Sequence, residues 1–318
     1  MVPVRDQPLL TEAVQVNIFK PEAGSAYLFG SSGEERSEHS SEWERQVQHV
    51  KFIRITVQES ASFEFATNGA SGRVALRSRE QLQNFWNTIS SETIYIDITG
   101  LSHHVWAPLL KVGLSSRGRR VIGLYVEPGD YRPSPTPTEG EIFDLSERIL
   151  GISPIPGFAS LSEPGDQNVC FVPLLGFEGA RFAYLLEQVQ PPGNKIIPVV
   201  GVPGFRPEYP FYTYLGNRSW LAQTRAWREV KFARANCPFS LFYMLQEIAA
   251  EHPQDTLKIA PSGTKPHALG AVLYAMASPR SVELVYDHPI RKPTRTTGTA
   301  RLLLYHLSTF PLATPHEA

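Results

Sequence analysis

The chain predicts an α/β fold with a mostly parallel sheet and helices on both faces, and two observations carry that prediction. From residue 93 onward, short continuous apolar runs alternate with longer helical patterns. That is the rhythm of strands buried on both faces and joined by crossover helices. Glycine, proline and small polar residues stand where the apolar runs stop, as turns between strand and helix require. With 318 residues, 42% hydrophobic and 19% charged, the chain can build one large domain with a subdomain, or two domains. Global disorder does not fit this composition.

Residues 1–90 read as a small β-rich N-terminal subdomain with a polar loop. The stretch Gly30 to Gln46 is charge-rich and reads as a mobile loop or the solvated start of a helix. Val50 to Val57 alternates like a half-buried strand. Phe63 to Thr67, the Asn68-Gly69 turn and Arg73 to Leu76 form a hairpin pattern. Ser78 caps a helix reaching Thr88.

Residues 91–318 read as the α/β domain proper. Its strands are expected at Thr93–Ile98, Val121–Val126, Val169–Leu174, Lys195–Val200 and Leu257–Ala260, followed by Ser281–Tyr286 and Leu302–Tyr305. Its helices are expected up to Leu114, over Gly179–Val189, over Phe239–Glu251 and over Pro266–Met276. A proline-rich loop spans Pro128 to Pro137, and an aromatic-rich insertion lies near 205–228. Most rings of that insertion are expected inside an irregular subdomain, with one or two left for contacts. No internal repeat is present.

Unusual residues fall where five of these strands end. They are Asp97, Thr99 and Gly100; Glu127 and Asp130; Gly176, Glu178 and Gly179; Pro203, Gly204 and Phe205; and Ser262, Gly263, Thr264 and Lys265. Parallel sheets bind ligands outside the carboxyl ends of their strands, so these ends predict one shared crevice in a Rossmann-like domain. The turn Ser262-Gly263-Thr264-Lys265 opens a helix, where free N–H groups and the helix dipole favour an anion. On this reading Lys265 and the Gly263 and Thr264 amides hold phosphate. Asp97 and Thr99 orient ribose or base, and Gly100, Gly176, Glu178 and Ser262 complete the ligand set. Asp97 and Glu178 are the candidate catalytic carboxylates. Asp287 to Arg301, with His288, Arg291, Lys292, Arg295 and Arg301, reads as a basic loop that either contacts phosphates at the crevice mouth or is simply solvated, and the similar turns Pro156-Gly157-Phe158 and Pro203-Gly204-Phe205 either present a stacking ring or pack as loops.

Several chemistries lack their motifs. The spacing G-x-x-x-x-G-K-[ST] is absent, as are G-x-G-x-x-G after the first strand and G-x-S-x-G. No metal site and no cofactor are expected: His103 and His104 do not form a ligand spacing with Asp97. Cys170 and Cys237 read as buried free thiols. A net charge of -1 gives no indication of a nucleic-acid partner. Met1 to Asp6 carries no apolar signal core, and no run approaches the roughly 18 apolar residues of a membrane span. A cytoplasmic protein with no membrane partner is expected.

Two motifs, Asp97-Ile98-Thr99-Gly100 ending a strand and Gly263-Thr264-Lys265-Pro266 opening a helix, resemble those of the CRISPR-associated Rossmann-fold nucleotide-sensor domains and related prokaryotic antiviral proteins. The resemblance spans residues 93–290. It implies that the Gly-Thr-Lys turn lies in a nucleotide-binding crevice, and that the chain is a sensor or accessory component of a bacterial defence or regulatory complex with a protein partner. Two other functions fit the same residues. One is an enzyme acting on a nucleotide or glycosidic bond. The other is a structural interaction subunit whose crevice is unused.

Overall fold

The computed structural model describes residues 10–116, 118–138, 140–160, 168–292 and 294–312; the Met1 to Asp6 stretch lies outside them. The chain forms two compact units, Met1–Asp130 with Thr296–Pro311, and Tyr131–Arg295 with Leu312–Ala318. The division therefore falls at residue 130, not at residue 90.

Along the first unit run β1 (Thr11–Gln15), β2 (Ala26–Gly30), α1 (His39–Gln46), β3 (Lys51–Gln58), β4 (Ser62–Ala66) and β5 (Ser71–Ala75). They are followed by α2 (Arg79–Asn87), β6 (Thr93–Asp97), α3 (His103–Ser115) and β7 (Arg120–Tyr131). The second unit begins with β8 (Ser146–Ile149), β9 (Ser153–Pro154), β10 (Val169–Pro173), α4 (Gly179–Val189), β11 (Val199–Gly201) and α5 (Tyr209–Thr224). It continues with β12 (Lys231–Ala233), α6 (Pro238–Glu251), β13 (Thr256–Ala260), α7 (Lys265–Ala277), β14 (Val282–Tyr286) and β15 (Pro289–Arg291). Finally β16 (Thr296–His306) returns to the sheet of the first unit.

The first unit is an eight-stranded sheet in the order β1-β16-β7-β6-β2-β3-β4-β5. Its centre, β7-β6-β2-β3, is parallel. The β4–β5 hairpin and the β1–β16 pair are antiparallel. The N-terminal residues are thus not a separate β-rich subdomain. Ala26–Gly30 is buried at every position and pairs in parallel with both β3 and β6. The polar segment after it hides this unit in the sequence. It is a 3-10 turn and helix α1, and Arg36, Ser37, His39, Ser40 and Trp43 are buried rather than solvated. The polar side chains of Arg36, Ser37, His39 and Ser40 are paired internally, which is what permits their burial.

In the second unit β10, β13 and β14 are parallel, with β9 antiparallel at one edge. β11 pairs in parallel with β12. Single parallel bridges, Phe171 to Ile196 and Leu174 to Val199, join β11 to β10. The order is therefore β12-β11-β10-β13-β14. The fourth expected strand, Lys195–Val200, is observed as Val199–Gly201: Lys195 ends a 3-10 turn and Ile196 makes only a single bridge. The aromatic-rich insertion is not irregular. It is the 16-residue helix α5, opened by Pro210 in its first turn, a position that tolerates the missing N–H. Trp220 and Tyr214 pack against a core containing Phe171, Phe182 and Leu185. A fully buried ring of that core contributes about 1.5–3 kcal/mol. Cys170 is buried, whereas Cys237 is half-buried and its sulfur accepts from the Ser240 N–H at the start of α6. No helix among the described residues is long and apolar enough to cross a membrane.

Candidate functional site

Each unit has a point where the chain leaves the first parallel strand in opposite directions. In the second unit β11 and β12 lie on one side of β10, and β13 and β14 on the other. The carboxyl ends of β10 and β13 therefore lie side by side, and the turns after them open a crevice there.

These turns nearly touch. A Cβ on Gly176 would lie 3.0 Å from the Ser262 carbonyl oxygen, and one on Gly263 would lie 2.8 Å from that of Leu175. Glycine is needed at both places because main chain meets main chain. Ser262 locks the approach by donating its hydroxyl to Leu174 O at 2.8 Å. Thr264 caps α7: its hydroxyl accepts from the His267 N–H and donates to Ala235 O at 2.7 Å. Asn217 of α5 donates to Gly176 O at 2.8 Å and so fixes the turn before α4. Among the described residues, the amides of Gly176, Phe177, Gly263 and Thr264 have no hydrogen-bond acceptor. The turns leading into α4 and α7 thus meet here with unpaired amides, just ahead of two helix N-termini.

The crevice is an open cleft with about 590 Å³ of empty space, part of it continuous with solvent. Gly176, Glu178, Ser262, Gly263 and Thr264 line it, as do Arg181, Arg291 and Arg295. Phe205 and Gly204 follow β11 and close another side, while Tyr131, Phe177 and Tyr209 give an aromatic wall. Phe177 stands 5.2 Å from Tyr131, 5.3 Å from Tyr209 and 4.7 Å from Phe143, centroid to centroid. Lys265 is the first residue of α7 and is not among the lining residues. The amides and arginines, rather than that lysine, form the cationic side of the cleft.

Glu178 is committed to structure. One carboxylate oxygen accepts from the Leu145 N–H at 3.0 Å, and the other from Ser146 Oγ at 2.9 Å and Arg291 at 3.1 Å. Asp287 is fully buried and binds Arg181 through both oxygens at 2.6 Å. Burial raises the Asp287 pKa, but the charge and hydrogen bonds of Arg181 outweigh burial and hold it below the ordinary carboxylate range. His267, behind the turn, is 1% exposed, and burial lowers its pKa to about 4.

Asp97, Thr99 and Gly100 belong to the first unit, so the five strand ends are divided between two sheets. The Asp97 carboxylate is buried and fully occupied. Oδ2 accepts from Ser40 Oγ at 2.7 Å and Tyr27 Oη at 2.9 Å, with His39 Nε2 at 3.1 Å. Oδ1 accepts from the Thr99 N–H at 2.8 Å. Burial raises its pKa, yet His39, Thr99 and Ser40 together hold it well below the usual range. Thr99 is occupied too, since its hydroxyl accepts from the Val126 N–H. A Cβ on Gly100 would lie 1.7 Å from Gly30 O, and Gln58 seals the turn through Gly100 O and Ser102. Serine, histidine and aspartate meet here without a catalytic relay, because Ser40 donates directly to the carboxylate. Among the described residues, no group of three or more His, Cys, Asp or Glu could hold a metal ion.

Tyr27, His39 and Ser40, which surround Asp97, lie in or beside the expected polar loop Gly30 to Gln46 and are not among the residues expected at a site. Arg181 is likewise not among the expected site residues. A cation in the first turn of an otherwise apolar helix, with an aspartate ending a later apolar strand, was the available signal.

No family model and no curated protein matches the chain. Among solved structures it is similar to an ABC transporter solute-binding protein from Burkholderia multivorans, whose unknown ligand was interpreted as α-D-erythrofuranose. The identity is 12% over 83% of this chain and 78% of that one, with a TM-score of 0.22. A likeness at that score carries no argument about fold or function.

Proposed function

We propose that the chain is a Rossmann-like protein that binds a nucleotide or another phosphate-bearing ligand in the cleft of its second unit. With its parallel strands β10 to β14 numbered one to five in chain order, the unit's strand order is 3-2-1-4-5, the order of the first five strands of dinucleotide-binding sheets. The observation that carries the reading is the meeting of two helix N-termini, with unsatisfied amides at Gly176, Phe177, Gly263 and Thr264, in an arginine-lined cleft. The aromatic wall suits a base. The resemblance of the Gly-Thr-Lys turn to the CRISPR-associated sensor domains supports a role as sensor or accessory component of a bacterial antiviral defence or regulatory complex. Calorimetric titration with a panel of nucleotides tests it. Binding of at least one member is expected, weakened about tenfold, or about 1.4 kcal/mol, in Arg295→Glu. A panel without any binder, or binding indifferent to that change, overturns the reading.

A second reading, a protein-interaction subunit, is favoured by the exposed rings Phe211, Trp227 and Phe232 on and beside α5 and β12. Aromatic residues with arginines, here Arg225 and Arg228, are typical interface anchors. Native mass spectrometry checks it: an assembly lost in Trp227→Ala supports the reading, and an unassembled wild-type chain counts against it. The enzyme reading has no comparable support, because both of its candidate acids, Asp97 and Glu178, are held by structural partners.

A further inference from the structure

Arg181 is 4% exposed, yet it lines the cleft. A guanidinium carries five N–H donors. Nε and Nη2 donate to the two oxygens of Asp287, and Nη1 donates to Ser262 O, each at 2.6 Å. Among the described residues these are its hydrogen bonds, so one N–H on Nη1 and one on Nη2 remain unsatisfied. Buried donors without an acceptor are costly and seldom kept without a use. The side chain is also immobilised. It starts in the first turn of α4, is gripped at the end of β14 and touches the turn before α7. A fixed planar fork with two remaining donors matches phosphate oxygens, a geometry a lysine point charge does not provide.

We propose that Arg181, held in place by Asp287, is the side chain that donates to the phosphate group of the ligand, beside the amides of Gly263 and Thr264. This assignment rests on the reading of the cleft as a nucleotide site. Asp287 is the positioning residue: it sets the plane of the guanidinium and offsets its buried charge.

Changing Arg181 alone would strand a buried carboxylate and strongly destabilise the unit, which would confound any loss of affinity. The test therefore uses the paired variant Arg181→Met/Asp287→Leu, which removes both charges together, and titrates it and the wild type with AMP and with adenosine. The wild type is expected to bind AMP more tightly than adenosine. The paired variant is expected to lose AMP affinity by about tenfold to a hundredfold, the loss that goes with charge-assisted hydrogen bonds to a phosphate, with adenosine binding unchanged. An equal AMP affinity in the folded variant, or an equal loss for AMP and adenosine, overturns the assignment while the nucleotide reading stands. Absence of AMP binding by the wild type also overturns it, and the wider nucleotide panel then decides whether the cleft reading falls as well. If the paired variant does not fold, the guanidinium ¹⁵N–¹H signals of Arg181 in the wild type replace it. They are expected to shift on adding AMP and not adenosine, and unmoved signals overturn the proposal.

Discussion

The two units repeat one plan and put it to opposite uses. In each, strands leave the first parallel strand to both sides, and a glycine lets two strand ends approach where they part: Gly100 against Gly30, and Gly176 with Gly263. In the first unit the space beyond is closed by the protein's own groups, with Asp97 saturated by Tyr27, His39, Ser40 and Thr99. In the second it is open, and the turn amides and two N–H groups of Arg181 lack acceptors. The same kind of switch point thus yields a structural joint in one sheet and a candidate site in the other. Whether donors find acceptors inside the chain makes the difference.

The largest expected effect is at the closed joint. Asp97→Ala removes the carboxylate from a fully buried cluster and should cost about 3–5 kcal/mol, read by denaturant unfolding, with nucleotide affinity in the folded fraction unchanged. A change in affinity without a loss of stability would reverse the comparison. Gly100→Ala should follow at about 3 kcal/mol, because its Cβ would overlap the Gly30 carbonyl and the main chain must shift.

Acid separates the units. His267 has a folded pKa lowered to about 4 by burial, below the ordinary 6.5 of an unfolded chain. Its contribution is full above pH 6.5 and is lost as pH falls toward 4, because the unfolded state takes up the proton first. That loss should approach about 3 kcal/mol and disappear in His267→Gln. Asp97, held below its ordinary range, contributes above about pH 4 and loses that contribution only on further acidification. The second unit should therefore loosen at a higher pH than the first, as followed by fluorescence of Trp220 and Trp227 against Trp86 and Trp106 in single-tryptophan variants. Simultaneous loss at one pH would break the distinction. The smallest effect is expected at Lys265→Ala. Lys265 does not line the cleft, so nucleotide affinity should change less than about twofold and stability by less than about 0.5 kcal/mol.

Much of the second unit was legible because its signals are local. Small residues after apolar runs marked the turns at Gly176 and Ser262–Thr264, and those turns line the cleft. The hairpin of β4 and β5 and the helix capped by Ser78 were equally plain, since turn residues and caps act within a few positions. The polar helix α1 and the aromatic helix α5 were not, because their burial depends on partners far along the chain. Tyr27 and Ser40 meet Asp97 across 70 and 57 residues, and Arg181 meets Asp287 across 106.

The sequence by itself determined the alternation of strand and helix, the positions of the anion-favouring turns and the absence of several familiar catalytic motifs, all of which depend on neighbours in the chain. Only the tertiary structure decided that the strand ends fall into two sheets, that Asp97 is sealed while Gly263 and Thr264 face a cleft, and that Arg181 stands beside them. Those outcomes depend on which strands pair and which buried donors meet acceptors, and such pairings join residues that the order along the chain leaves far apart.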